Sequence, residues 1–176
     1  MKKKFNFKQA AQLVQLVIFD VDGTLTDGQI ILTDKQDELK AFYVQDGLGI
    51  QFLQEAGIPV AVITAKQSDL VTRRMESLGI QHVYQGQRDK RAAYEALLET
   101  LHLTDQQVAY VGDDVLDLPF IRRAGLGIAV ANAVPFVKKH ANFITRQAGG
   151  HGAAREVCDL ILQAKGLYAS IYSRYL

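Results

Sequence analysis

Four short runs of aliphatic and β-branched residues constrain this chain most: Leu16–Phe19, Val60–Ile63, Val108–Val111 and Gly127–Val130. Each is apolar at every other position and at the positions between, a pattern that suits strands buried on both faces. Longer segments with a helical stripe separate them. Leu48–Ala56 carries Leu48, Phe52 and Leu53 and stops at Gly57 and Pro59. Ser68–Leu78 repeats the pattern and stops at Gly79, and Asp89 can cap Lys90–Leu101. Asp117–Ala124 closes at Gly125, and Ala153–Ala164 makes a final helix. Strands alternating with helices predict an α/β fold, a Rossmann-like parallel sheet with helices on both faces. One stretch breaks the alternation. Residues 28–45, Gly28 to Val44 and its neighbour, hold two apolar pieces around the polar turn Thr33–Glu38, which reads as a small projecting β-hairpin.

No repeat or Pro/Gly/Ser-rich linker divides the 176 residues, so a single domain over 1–176 is expected, with 166–176 as a C-terminal tail. The formal net charge is +1, which supplies no basic field for nucleic acid or for a membrane surface. The one cysteine, Cys158, excludes an intrachain disulfide and any Cys-rich zinc site and reads as an inert core thiol. No apolar run reaches the roughly 18 residues that a membrane span requires. Met1–Lys4 is basic, but Asn6, Lys8, Gln9 and Gln12 keep the next residues from forming a hydrophobic stretch, so the N-terminus reads as a solvated leader. A cytoplasmic protein is expected.

The chemistry sits where strands end. The first run leads into Asp20-Val21-Asp22-Gly23-Thr24, and the third into Gly112-Asp113-Asp114-Val115-Leu116-Asp117. In open α/β sheets, ligands bind at the carboxyl ends of the strands. Side chains at i and i+2 of an extended chain share one side, so Asp20 and Asp22 repel unless a cation or a shared proton compensates. Five acids at two strand ends call for a hard cation, and Mg²⁺ suits oxygen ligands completed by waters and a phosphate. Thr64 ends the second run with a hydroxyl able to hold a phosphate oxygen. Lys90 opens a helix, beside amides that favour an anion. Any one of these has an ordinary structural explanation; together, in chain order, they point to phosphoryl chemistry.

These residues resemble the four motifs of the haloacid dehalogenase (HAD) superfamily of phosphotransferases. The resemblance makes Asp20 the nucleophile that forms an aspartyl-phosphate. It makes Asp22 the acid for the leaving alcohol and then the base for water. Asp20, the Asp22 backbone carbonyl and Asp113 would hold Mg²⁺, while Asp114 and Asp117 would orient metal-bound waters and Lys90. Further stretches are similar to the family of 3-deoxy-D-manno-octulosonate 8-phosphate phosphatases. They are Thr26-Asp27-Gly28, Phe42 with Asp46-Gly47, Gly49-Ile50, Arg74 with Leu78-Gly79-Ile80, Tyr84-Gln85-Gly86, Ala109-Tyr110-Val111-Gly112-Asp113-Asp114, and Gly149-Gly150 with Gly152-Ala153 and Arg155-Glu156. That resemblance implies a hairpin in place of a cap domain, a homotetramer in which a neighbour helps to close each site, and a place in lipopolysaccharide inner-core synthesis. It sets Tyr43, Val44, Gln45, Asp46 and Gly47 along the substrate. Lys66 and Arg74, with Asp22 and Lys90, would meet a sugar acid's charged groups, Arg74 by its bidentate fork.

Thr64-Ala65-Lys66 departs from the family's usual Thr-Gly-Arg, keeping the charge but losing the fork and the glycine's freedom. The sibling activity, on nine-carbon sialic acid or KDN 9-phosphates, commonly goes with a glutamate near position 66, so Lys66 favours the eight-carbon acid. A mutase would need a lid, and the chain has no segment long enough for one. A HAD-like oligomerisation domain would not need Asp20, Asp22, Lys90 and Asp113 together, and a phosphate-receiver domain gives no reason for Asp22. The tyrosine-rich tail is expected either to pack on a neighbouring subunit or to fray.

Overall fold

The apolar runs form the middle of one parallel sheet in the computed structural model, which describes residues 5–34 and 38–176. In chain order the elements are α1 (Phe7–Leu13), β1 (Leu16–Phe19), β2 (Ile31–Leu32), β3 (Glu38–Leu39), α2 (Val44–Glu55), β4 (Val60–Ile63), α3 (Asp69–Ser77) and β5 (His82–Tyr84). They continue with α4 (Arg91–Thr100), β6 (Val108–Gly112), α5 (Leu118–Arg123), β7 (Leu126–Ala129), α6 (Pro135–His140), β8 (Phe143–Ile144), α7 (Ala153–Ala164) and α8 (Tyr168–Tyr172). The sheet order is β5-β4-β1-β6-β7-β8. Every residue of β1, β4, β6 and β7 is buried, because helices cover both faces. Phe19 pairs with Val62 on one side and with Val111 on the other. This register delivers the residues after β1, β4 and β6 to one edge of the sheet.

The expected α/β architecture stands, with β2 and β3 as a two-stranded antiparallel hairpin beside the main sheet. Several boundaries move. α2 begins at Val44 rather than Leu48, so the hairpin ends before the expected limit near residue 45. Gly47 and Gly49 lie inside that helix, and their low helix propensity concealed its first turns. β5 and β8 are three and two residues long, too short to give a period.

The leader also needs correction. Residues 7–13 form α1, with the Asn6 side chain accepting from Gln9 N at 3.2 Å, Ala11 fully buried, and Phe7 packed 4.8 Å from Phe143. Met1–Lys4 lie outside the described residues. The tail is neither frayed nor detached: Tyr172 donates its hydroxyl to Asp159, accepts from Arg155, and sets its ring 5.2 Å from Phe52. Cys158 is buried on α7. Among the described residues, no helix is long and apolar enough to cross a membrane.

Candidate active site

The edge after β1, β4 and β6 carries Asp20, Asp22, Thr64 and Asp113, and Lys90 reaches Asp20 from the start of α4. Asp20 leaves β1 with its N–H on the Val111 carbonyl at 3.0 Å, which ties it to β6. The chain then folds back on itself, with the Thr24, Leu25 and Thr26 N–H groups all donating to the Val21 carbonyl. The Thr26 hydroxyl accepts from Gly23 N at 3.3 Å and Gly28 N at 3.2 Å. Gly23 has φ +89°, and a Cβ there would meet an Asp113 carboxylate oxygen at 2.2 Å. Only glycine lets the two acidic loops approach this closely.

Lys90 is the N-cap of α4 and is 2% exposed. Its ammonium donates to Asp20 Oδ1 at 2.6 Å and to Asp117 Oδ1 at 2.7 Å. Asp117 is the hub of its loop. The Tyr110 hydroxyl donates to the same Oδ1 at 2.9 Å, and Oδ2 accepts from Asp113 N at 3.1 Å and Asp114 N at 3.4 Å. Asp114 is exposed, and its carboxylate accepts from Val115 N at 2.7 Å. Thr64 is buried at the end of β4, its N–H on the Tyr84 carbonyl.

Asp20, Asp113 and Asp117 bring carboxylate oxygens within 4.8 Å of one another. Burial, then the Asp117 carboxylate, push Asp20 up to about 7 against the pull of Lys90. Burial, then Asp117 and Asp114, push Asp113 up to about 7. Such shifts mark anions crowded out of water with too little positive charge, which is the condition a divalent cation relieves. Asp117 has committed both oxygens to four donors. Asp20 and Asp113 are therefore the side chains best able to hold Mg²⁺, and the donor set fits that ion. Asp22 stands apart from this cluster, because its carboxylate is bound by Lys40.

The residues expected along the substrate are divided. Tyr43, Val44 and Gln45 are exposed at the start of α2, and Lys66 is exposed after β4. Arg74 is half-buried, with its guanidinium 5.9 Å from the Phe42 ring and packed against Gly47. Asp46 and Gly47 are buried. The Asp46 carboxylate faces α7, accepting from Arg155 N at 2.8 Å, which accounts for its type without a substrate. A groove of about 840 Å³ lies beside this set, lined by Tyr43, Gln45, Arg146, His151, Arg155 and Gln163 rather than by Asp20, Asp22 or Asp113.

Three contributors have no role that the sequence assigns. Asn132 donates to the Gly23 carbonyl at 3.1 Å and accepts from Gly149 N at 2.7 Å, splinting the Asp22 loop to the Gly149-Gly150 loop. Tyr110 and Lys40 are the others. Tyr110 reads as ordinary strand core, and the links of Asn132 and Lys40 span 109 and 18 residues, so no local spacing announces them.

Comparison with known proteins agrees with this geometry. A family model described as haloacid dehalogenase-like hydrolase matches residues 77–157. The chain is 49% identical to the 3-deoxy-D-manno-octulosonate 8-phosphate phosphatase KdsC of Yersinia pestis over 157 residues, covering 89% of this chain and 84% of that protein. A crystal structure of the phosphatase of that name from Moraxella catarrhalis, in complex with a magnesium ion, a phosphate ion and a KDO molecule, superposes with a TM-score of 0.94 at 44% identity. It covers 96% of this chain and 97% of that one. The cobalt-bound deoxy-D-mannose-octulosonate 8-phosphate phosphatase of Haemophilus influenzae gives a TM-score of 0.88 at 40% identity, covering 92% and 94%. With four motifs on one sheet edge and near-half identity along most of its length, the chain belongs to the 3-deoxy-D-manno-octulosonate 8-phosphate phosphatase family of HAD-like hydrolases.

Proposed function

We propose that this protein is a Mg²⁺-dependent phosphatase that hydrolyses 3-deoxy-D-manno-octulosonate 8-phosphate to the free sugar acid and phosphate, the product entering lipopolysaccharide inner-core synthesis. The observation that carries the reading is the buried Lys90 ammonium bridging Asp20 and Asp117 beside Asp113. In the first displacement, an Asp20 oxygen bonds to phosphorus as the ester P–O bond breaks, and Asp22 gives its proton to the leaving alcohol. In the second, Asp22 takes a proton from water, whose oxygen attacks the aspartyl-phosphate and returns Asp20. Lys90 and Thr64 neutralise and hold the phosphoryl oxygens. Asp20, Asp113 and the Asp22 carbonyl hold Mg²⁺, which supplies positive charge that keeps Asp20 ionised and accepts the phosphate's charge.

Tyr43, Val44, Gln45, Asp46, Gly47, Lys66 and Arg74 form the sugar-acid side of the site, the two cations meeting the substrate's carboxylate. Lys66 and the named activity of the relatives favour the eight-carbon acid over the nine-carbon acids. Exposed Ile30, Ile31, Leu32 and Leu39 on the hairpin support a homotetramer in which hairpins associate. Single-domain organisation and a cytoplasmic location complete the reading.

The test is phosphate release from the eight-carbon 8-phosphate and from sialic acid 9-phosphate, each with Mg²⁺ and with EDTA. Release from the first alone, lost with EDTA and in Asp20→Asn, is the expected result. Preference for the nine-carbon ester would transfer the protein to the sibling activity, and inertness towards both would remove the assignment.

A further inference from the structure

Lys40 follows β3 on the hairpin, yet its ammonium donates to Asp22 Oδ1 on the loop after β1. Glu38 Oε1 lies 3.0 Å from the same ammonium. The Lys40 side chain is 2% exposed, against 25% for Asp22 and 34% for Glu38. A surface lysine keeps its head in water, whereas this one is withdrawn beneath its two acids. Burial opposes its charge, but the hydrogen bonds and charges of Asp22 and Glu38 outweigh that and raise Lys40, so it remains a cation. Lys40 in turn holds the Glu38 carboxyl below its ordinary range.

The arrangement matters because Asp22 has a demanding task. It delivers a proton to a leaving oxygen whose position is set by Asp20 and the phosphate-binding groups. A partly exposed carboxylate turns about two side-chain bonds, and a misplacement of about 1 Å can cost ~10²-fold in rate. The hairpin has the reciprocal problem, since strands of two residues each are barely stable without an anchor.

We propose that Lys40, held from its other side by Glu38, is a positioning residue for Asp22, so that the hairpin fixes the proton donor of the reaction. This role rests on the phosphatase reading of the site. In it, Lys40 touches neither the phosphate nor the sugar. Its effect is read apart from the hydrolysis of the aspartyl-phosphate in the first displacement, in which the ester P–O bond breaks, the Asp20–phosphorus bond forms and a proton passes from Asp22 to the leaving oxygen. An alcohol needs that proton as it leaves; a nitrophenolate does not.

The experiment compares first-turnover product release from 3-deoxy-D-manno-octulosonate 8-phosphate, glycerol 2-phosphate and 4-nitrophenyl phosphate, with Mg²⁺, for the wild type, Lys40→Met, Lys40→Arg and Glu38→Gln. Lys40→Met is expected to slow release of the alcohols ~30- to 100-fold while changing nitrophenolate release less than about threefold, with KM nearly constant. Lys40→Arg should recover most of the loss, and Glu38→Gln should lose roughly fivefold on the alcohols. Retained activity on the aryl ester shows that the fold and Asp20 are intact. Equal losses on all esters, a change confined to KM, or full activity on the alcohols would overturn the role of Lys40. A wild type that cleaves the aryl and glycerol esters but not the sugar ester would overturn the substrate reading alone, leaving the comparison of alcohol and aryl esters to judge Lys40.

Discussion

Asp117 shows how one side chain can organise a site it need not touch substrate to serve. Its two oxygens accept from Lys90, Tyr110, Asp113 N and Asp114 N. An amide at this position can accept on one side only, and its NH₂ would face donors on the other. Asp117→Asn should therefore cost ~3 kcal/mol, seen as a melting point lower by roughly 6–10 °C, and reduce kcat at least ~10²-fold by releasing Lys90. Tyr110→Phe removes a single donor and keeps the ring, so about 1 kcal/mol and a three- to tenfold loss of kcat are expected. Equal effects from the two substitutions, in melting and steady-state assays, would contradict the hub. The acids were legible in the sequence because they follow strand ends, and Lys90 because it opens a helix. The role of the Tyr110 hydroxyl was not, because a tyrosine inside Val108–Gly112 has the same pattern whether or not its hydroxyl is used.

At the scale of elements, α2 and α7 meet through Asp46. Its carboxylate lies against the start of α7, where unpaired N–H groups favour an anion. Burial raises Asp46, opposed by the N–H groups of Arg155, Gly152 and Ala154. The resemblance alone set Asp46 along the substrate, and its pairing with residue 155 leaves no local trace in the sequence. The two roles separate in Asp46→Asn. A pure helix anchor should lose about 1–2 kcal/mol of stability with KM within twofold of wild type. A rise in KM of tenfold or more at unchanged stability would mean that Asp46 meets the substrate. The hairpin was legible as an element but not in its action: the polar turn marked it, while the burial of Lys40 against Asp22 depends on how it folds back.

For the whole molecule, the sheet was legible because its four central strands are buried on both faces and leave unbroken apolar runs, while the edge strands β5 and β8 are too short to do so. The same burial that built the sheet edge links metal binding to pH. Asp20 and Asp113 are raised to about 7 without a metal, chiefly by burial, from ordinary values of 3.8. Between pH 4 and 7, the metal-free folded chain keeps protons that the unfolded chain has already released. Raising the pH through that window therefore removes stability from the metal-free protein. Mg²⁺ binds the ionised pair, so its stabilisation must grow over the same window. Saturating Mg²⁺ should raise the melting temperature by about 5 °C or more at pH 8 and by less than about 2 °C at pH 5, read by scanning calorimetry. Asp113→Asn should abolish the difference between the two pH values. A Mg²⁺ shift of equal size at both would mean that the ion binds groups other than these two carboxylates.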